Sequence, residues 1–250
     1  MENKTGSSAE ASAKAGKYFK YAIGEIVLVV IGILIALQIN TWNESRQLTK
    51  KQTKLFQNLI NDIDKDIQGF TRQDSAYAVY EANSDKGLEL FYKAKTVEDI
   101  DSVMQLSQTS WGELFVNRRT YNEMINSGSM YALENEDLQK NITAYYVSLD
   151  GNERYIREVN TSQRVLWSES SDFYPVLQLL SEFNNPRIGI KRLDTTWINN
   201  PNASTYLALN HYLNISQSDS NKYRRKVFSR LLKKAEELKL ELKKELEDKR

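Results

Sequence analysis

The sequence contains no cysteine and a single histidine, His211, among its 250 residues. The absence of cysteine excludes disulfides, thiol nucleophiles and thiolate metal sites. One histidine excludes a metal centre built from several imidazoles. Because His211 lies among Leu209, Tyr212 and Leu213, we interpret it as a structural residue.

Proline and glycine are also scarce, with three and ten residues. The prolines, Pro175, Pro186 and Pro201, all come late in the chain, so the residues before them can form long helices without interruption. The sequence therefore predicts a mainly α protein.

The formal net charge is only +1, but the charges are unevenly distributed. Residues 1–54 hold eight basic and four acidic side chains, residues 55–220 fourteen and twenty-three, and residues 221–250 twelve and six. The middle of the chain is acidic and its ends are basic. An acidic body argues against nucleic acid as a partner.

One long hydrophobic run, Ala22–Ile39, contains a single charge, Glu25. At about 1.5 Å rise per residue these eighteen residues form a helix of about 27 Å, which spans a thin hydrocarbon core. Tyr18 and Tyr21 precede the run and Trp42 follows it, as is typical of aromatic anchors at the two membrane interfaces. The sequence predicts one transmembrane helix.

A cleaved signal peptide and a buried core helix are the competing interpretations of this run. The residues after it, Gln38–Trp42, lack a small-x-small cleavage pattern, and Glu25 interrupts the hydrophobic region. Hydrophobicity on all sides is unusual for a core helix of a soluble protein. We therefore expect an uncleaved signal anchor in the lipid bilayer.

The lysines next to the run predict its orientation. Lys14, Lys17 and Lys20 lie within eight residues of its N-terminal edge, whereas only Arg46 lies as close on the other side. Positive charge favours the cytoplasmic side. We expect a single-pass protein of a bacterial inner membrane with a cytoplasmic N-terminus and a periplasmic C-terminal domain.

Small residues share a face of this helix with Glu25. Gly32 and Ala36 follow Glu25 by seven and eleven residues, which brings all three to one side at about 100° per residue. A small-xxx-small pair lets another helix approach closely. We consider Glu25, Gly32 and Ala36 a possible transmembrane helix interface, with snorkelling of Glu25 to the headgroups as the alternative.

Composition divides the chain into four segments. Residues 1–16 have too few large apolar groups to fold and predict a disordered tail. The other three segments are the anchor with its interfacial flanks at 17–44, a soluble domain of long, bundle-like helices at 45–215, and a C-terminal amphipathic basic helix at 216–250.

Apolar side chains repeat at helical spacing after the anchor and predict a long helix that leaves the membrane. They are Leu48, Leu55, Leu59, Ile63, Ile67 and Phe70. A brief alternation at Ile188, Ile190 and Lys191 predicts at most one short strand, within a loop.

Capping signals place further helices. Thr96 and Asp99 form a capping box. The apolar and aromatic stretch 111–131 predicts a helical hairpin with Gly128 as a stop, and another helix begins near Asn135. Pro175 marks its end or a kink.

The terminal helix carries many cations, which leaves two readings open. In the first, the cations bind anionic lipid headgroups or nucleic acid. In the second, which we favour, they form a solvated face whose charge is balanced by the glutamates of the helix. The cations are Arg224, Arg225, Lys226, Arg230, Lys233 and Lys234.

No residue pattern predicts catalysis or a cofactor. Carboxylates such as Asp62, Asp64 and Asp66 are read as a solvated helix face, and no nucleotide-binding or metal-binding motif is present. The fourteen tyrosines are dispersed at helical spacing, which favours core packing. We expect no enzyme, no cofactor and no metal site.

Two stretches carry a resemblance to a known family. Residues 17–44, from Lys-Tyr-Phe-Lys-Tyr to Asn-Thr-Trp-Asn-Glu, and the segment beginning Thr-Tyr-Asn-Glu-Met-Ile-Asn-Ser-Gly at Thr120 resemble an uncharacterised family of single-pass membrane proteins from Bacteroidota. This resemblance implies an inner-membrane protein and transfers no activity.

These observations predict a membrane-anchored, non-enzymatic helical interaction or scaffold module, self-associating or bound to a protein partner. The alternative is an extracytoplasmic small-molecule sensor whose pocket is enclosed by the helices around Trp111, Tyr121 and Tyr145.

Overall fold

A computed structural model describes residues 7–180 and 193–248. Contacts divide the chain into two units, Met1–Lys54 and Leu55–Arg250, and each is described here by itself. Regular structure in the described residues is helical, as predicted. The helices are α1 (Ser7–Phe91), α2 (Val97–Leu106), α3 (Arg119–Asn126), α4 (Glu136–Glu169), α5 (Tyr174–Leu179), a 3-10 helix (Thr196–Asn199), α6 (Ser204–Ile215), a π-helix (Ser216–Lys222) and α7 (Tyr223–Asp248).

The first unit consists of the N-terminal part of α1. Helical backbone begins at Ser7, within the stretch 1–16 for which composition predicts a tail, because alanine, its commonest residue, is the best helix former. Residues 1–6 lie outside the described part, and disorder of the tail stays a prediction. From Ile23 to Ile39 every residue is exposed.

The larger apolar core of the second unit, called cluster 1, joins α1, α3, α4 and α7. Leu59 and Ile63 of α1 are fully buried there, as their spacing predicts, and so are Ile142 of α4 and Leu242 of α7. Leu48, placed on the same predicted face, is 45% exposed.

A second apolar core, called cluster 2, forms from the end of α1, α2, α5, the 3-10 helix and α6. Phe91, Val103, Val176 and Leu209 are buried in it. Phe91 also contacts Tyr206 with ring centroids 4.6 Å apart. The described part of the second unit therefore has two apolar cores.

Three of the predicted helix boundaries are confirmed by their caps. Thr96 Oγ1 accepts from Asp99 N at 3.1 Å while the Asp99 carboxylate accepts from Thr96 N, which is a complete capping box. Asn135 Oδ1 accepts from Leu138 N at the start of α4. Gly128 follows α3 with φ of +69°, the left-handed conformation that glycine adopts at least cost.

Two predictions need correction. The helix predicted from Trp111 is too long, because residues 107–118 form a non-helical connection and α3 begins only at Arg119; the stop at Gly128 and the next helix, α4, are as predicted. Pro175 neither ends nor kinks α4, which stops at Glu169; it lies in the first turn of α5, where its missing N–H costs nothing. The alternation at 188–191 lies outside the described residues.

Candidate functional site

The predicted transmembrane interface lies on a fully exposed stretch of α1. Glu25, Gly32 and Ala36 are all exposed, and a Cβ added at Gly32 would meet no atom within 4 Å. Large apolar side chains from Ile23 to Ile39 are 46–70% exposed. This segment has the length and composition of a membrane span, with a mean hydropathy of 2.3 and none of it buried.

The predicted interfacial aromatic residues flank this segment in the chain. Trp42 is 65% exposed, and the guanidinium carbon of Arg46 lies 5.8 Å from the centroid of its ring. The side chains of Tyr18 and Tyr21 lie outside the described part. The Trp42 ring and the Arg46 guanidinium therefore follow the apolar segment directly in the chain.

Two of the three carboxylates read from sequence as a solvated face, Asp62 and Asp66, are buried, whereas Asp64 is partly exposed and pairs with Lys239. Asp62 accepts from the backbone N and the Oγ1 of Thr120, at 3.1 and 2.6 Å. Asp66 accepts from the backbone N and Nδ2 of Asn117, at 2.9 and 2.7 Å. Because no side chain of its own caps α3, Asp62 satisfies a backbone donor in its first turn, while Asp66 holds Asn117 just before the helix.

Burial has the largest effect on the pKa of Asp66. Desolvation raises the pKa of its carboxyl above the usual value, and the hydrogen bonds from Asn117 and Tyr145 only partly offset this effect. The Tyr145 hydroxyl lies 3.3 Å from Asp66, and its pKa is also raised, chiefly by burial. These two groups are therefore proton-bound over a wider pH range than exposed ones.

A set of polar side chains, called the polar layer, lies between the two apolar clusters along the chain. On α1, Tyr77 belongs to cluster 1 and Phe91 to cluster 2, and the buried Ser84 lies between them. From α6 to α7, Leu213 belongs to cluster 2 and Val227 to cluster 1. The intervening Ser216, Ser220, Asn221 and Arg224 are each 0% exposed.

The polar layer binds the connection between α2 and α3, residues 107–118. A segment without helical hydrogen bonds needs other partners for its carbonyl groups, and side chains of α1, α4 and the π-helix supply four of them. The donor and acceptor pairs are Ser216 Oγ to Ser107 O at 3.3 Å, Asn221 Nδ2 to Gln108 O at 3.4 Å, Tyr77 OH to Ser110 O at 3.0 Å, and Asn160 Nδ2 to Trp111 O at 3.2 Å.

Arg224 is the one charged side chain of the polar layer. Its Nη1 donates to Tyr77 OH at 2.8 Å and to Ser110 O, and its Nη2 donates to Asn160 Oδ1. Its guanidinium carbon lies 5.6 Å from the centroid of the Tyr77 ring. No carboxylate of the described residues lies within salt-bridge distance, so neutral dipoles and a π face stabilise the charge.

The π-helix explains why these residues converge. Its wider turn brings Ser216, Ser220 and Asn221 to the buried side, next to Arg224 at the start of α7. Sequence reasoning missed this arrangement and counted Arg224 among exposed cations. The signal available was the polar Ser216–Ser220 run between two apolar helices.

Lys222 at the end of the π-helix and three cations of α7 line an open groove with α1, called the basic groove. Its volume is about 500 Å³. It is separate from the polar layer, whose side chains point into the protein. The lining residues are Asp74, Glu81, Lys222, Tyr223, Arg225, Lys226, Ser229 and Arg230.

The aromatic residues around which a pocket was expected make packing contacts with other side chains. Tyr145 is 3% exposed in cluster 1, and Tyr121 stacks on Tyr146 with centroids 4.0 Å apart. Trp111 lies 5.7 Å from the guanidinium carbon of Arg164. His211 is exposed on α6, and within the described residues no three histidine or acidic side chains are grouped to hold a metal ion.

The structure defines a class of helical protein with an exposed apolar N-terminal helix and a helical body. A family model covers residues 25–179, and the chain belongs to that family, which is described as a family of unknown function (DUF6090). The match begins at Glu25 and ends with α5. Comparison with curated proteins and with solved structures gives no match.

Proposed function

We propose that residues Ala22–Ile39 anchor this protein in a bacterial inner membrane and that the helical body is a non-enzymatic interaction module. The observation that carries the anchor is the fully exposed apolar stretch of α1, with its mean hydropathy of 2.3. Leaving large apolar side chains in water costs about 1.5–3 kcal/mol each, and a bilayer removes that cost.

Membrane extraction tests the anchor. The native protein is expected to stay in the membrane pellet after alkaline carbonate washing. Val30→Arg with Ile33→Arg places two charges in the middle of the segment, where each costs about 3 kcal/mol, and is expected to release the protein. Gln47→Arg with Gln57→Arg adds the same charge outside it and is the matched control. Release of the native chain would overturn the proposal.

The proposed orientation has a cytoplasmic N-terminus and a periplasmic body, supported by Lys14, Lys17 and Lys20. Alkaline phosphatase fused after Arg250 is active only in the periplasm, so the fusion is expected to be active. An inactive phosphatase fusion together with a fluorescent cytoplasmic reporter at the same position would reverse the orientation.

Self-association of the anchor through Glu25, Gly32 and Ala36 is part of the proposal. It is supported by their shared exposed face and by the open space at Gly32. Gly32→Ile is expected to abolish signal in a transmembrane association reporter. Gly24→Ile makes the same change about 80° away around the helix and serves as the control. An unchanged signal with Gly32→Ile would exclude this interface.

The proposal that the body is a non-enzymatic interaction module is supported by the partners of its buried charged side chains. Asp62, Asp66 and Arg224 all hold backbone or side-chain groups of the protein itself. Crosslinking in the native membrane, followed by identification of copurifying proteins, is expected to recover another copy of the chain or a reproducible partner. Recovery of neither would overturn the interaction role.

A small-molecule sensor is the second candidate, and one observation favours it. Gln163 joins the polar layer by accepting from Ser220 Oγ at 3.1 Å. Arg224 Nε, Gln163 Nε2 and Asn221 Oδ1 are buried there without a protein partner. A ligand with both donors and acceptors would satisfy them. A thermal-shift screen with the full chain tests this function. A ligand that stabilises the native protein but not Gln163→Leu supports it, and a screen without such a ligand opposes it.

A further inference from the structure

The start of α7 concentrates positive charge in a way the rest of the helix does not. Between residues 222 and 234 the chain has seven basic and no acidic side chains, whereas residues 235–248 have three basic and six acidic ones. Balancing glutamates are therefore confined to the second half. The sequence-based interpretation of a solvated face relied on these glutamates, and they lie beyond the cations of the first half.

Four of these seven cations line the basic groove, together with the ring of Tyr223, which is 47% exposed. The Nζ of Lys226 lies 5.8 Å from the centroid of that ring. The Nε of Arg230 donates to Lys226 O at 3.2 Å, which orients its guanidinium. A volume of about 500 Å³ is within the usual range for small ligands.

Most of this positive charge is uncompensated. Arg225 pairs with Glu81 at 2.9 Å, and this hydrogen bond raises its pKa. Among the described residues, no carboxylate lies within salt-bridge distance of Lys222, Lys226 or Arg230. Three cationic groups therefore remain available to an anion, and phosphate oxygens accept hydrogen bonds from both lysine and arginine.

The groove also contains a carboxylate that a bare anion would not use. Asp74 has one oxygen buried without a partner, and Glu81 is already engaged by Arg225. An unpaired carboxylate oxygen requires a hydrogen-bond donor. The ligand that fits both features carries a phosphate next to an amine or a hydroxyl group.

We propose that the basic groove is a recognition site for a phosphate group, held by Lys222, Lys226 and Arg230, with Asp74 accepting from an adjacent amine or hydroxyl. Such a group occurs in soluble phosphorylated amines and alcohols and in lipid headgroups. The proposal concerns a different surface from the anchor and does not depend on it.

Calorimetric titration of the full chain in neutral detergent tests the site, with inorganic phosphate and phosphoethanolamine as probes at fixed ionic strength. Saturable binding with one site per chain is expected, tighter for phosphoethanolamine. Lys226→Gln with Arg230→Gln is expected to weaken both probes by about tenfold or more. Lys243→Gln with Lys244→Gln removes the same charge from exposed positions further along α7 and is expected to change neither.

The Asp74→Asn variant tests the proposed role of Asp74 separately from phosphate binding by the cations. It is expected to weaken phosphoethanolamine and leave inorganic phosphate unchanged, a result that also shows the variant is folded. Equal binding of both probes to the native protein and Asp74→Asn would overturn the role of Asp74.

The source of the phosphate is distinguished with the full chain in phosphatidylcholine nanodiscs. Sedimentation with phosphatidylethanolamine vesicles, lost in Lys226→Gln with Arg230→Gln, assigns a lipid headgroup. Binding of the soluble probes without sedimentation assigns a free ligand. Absence of both kinds of binding, or equal loss in the Lys243 and Lys244 control, would overturn the site.

Discussion

Arg224 and its neighbour Arg225 differ in burial and in the groups that their guanidinium groups bind. Arg224 is fully buried and holds Ser110 O and Asn160 Oδ1, while Arg225 is exposed and makes one ion pair with Glu81. Buried acceptors that lose their donors cannot turn to water, whereas exposed ones can. The two adjacent arginines therefore form a matched pair for mutation.

Arg224→Met is expected to lower the free energy of unfolding by about 2 kcal/mol, because Asn160 Oδ1 loses its guanidinium donor inside the protein. Arg225→Met is expected to cost less than about 1 kcal/mol, as is usual for an exposed ion pair. Urea denaturation of both variants measures the difference. Equal costs would contradict the structural role of Arg224.

The raised pKa of Asp66 predicts a dependence of stability on pH. Because its folded pKa lies above the unfolded value, the folded state binds more protons between the two. This contribution to stability is fully present below the unfolded value of about 4 and is lost as pH rises through the folded pKa. Asp66→Asn is expected to remove this pH dependence from the free energy of unfolding.

The control for Asp66→Asn is Asp137→Asn, whose side chain is 91% exposed. It is expected to retain the wild-type pH profile in urea denaturation between about pH 4 and 7. If Asp66→Asn also had the wild-type pH profile of stability, burial would not raise the pKa of the Asp66 carboxyl.

At the scale of elements, the boundary between α3 and α4 depends on Gly128. Its φ of +69° disfavours any side chain, although a Cβ there would meet no atom within 4 Å. The residue that can occupy this turn is thus restricted by its backbone conformation, not by the space around it. Gly151, within α4, also has open space but lies in a regular helix.

Gly128→Ala is expected to destabilise the protein by about 1 kcal/mol, the cost of a left-handed conformation with a Cβ. Gly151→Ala is expected to stabilise it by up to about 1 kcal/mol, because alanine is the better helix former. Thermal unfolding of the two variants should shift the midpoint in opposite directions. A shift in the same direction would contradict the assigned conformation of one of them.

At the scale of the whole molecule, the two apolar clusters differ in size. In the described residues, twenty-two buried side chains form cluster 1 and thirteen form cluster 2. Regions with less buried apolar surface open more readily. Native-state hydrogen exchange is therefore expected to show faster exchange in α2 and α6 than in the middle of α4 and in α7. Longer protection of α6 than of α7 would contradict this order.

The sequence by itself determined the mainly helical fold and three of the helix boundaries. Helical spacing identified Leu59, Ile63 and Phe70 as one apolar face, and short-range signals identified the Thr96 capping box and the stop at Gly128. These features depend on residues within one or two turns of each other. A local pattern is therefore sufficient to predict them.

Only the tertiary structure decided where the polar residues go. Asp62 caps α3 and Asp66 binds Asn117 just before it, each from more than fifty residues away in sequence, and Arg224 binds Ser110 O across 114 residues. Distant side chains bind carbonyls of the non-helical connection 107–118, and no local pattern records that. A buried polar side chain and a solvated one look alike in sequence, since burial is decided by what the rest of the chain brings to it.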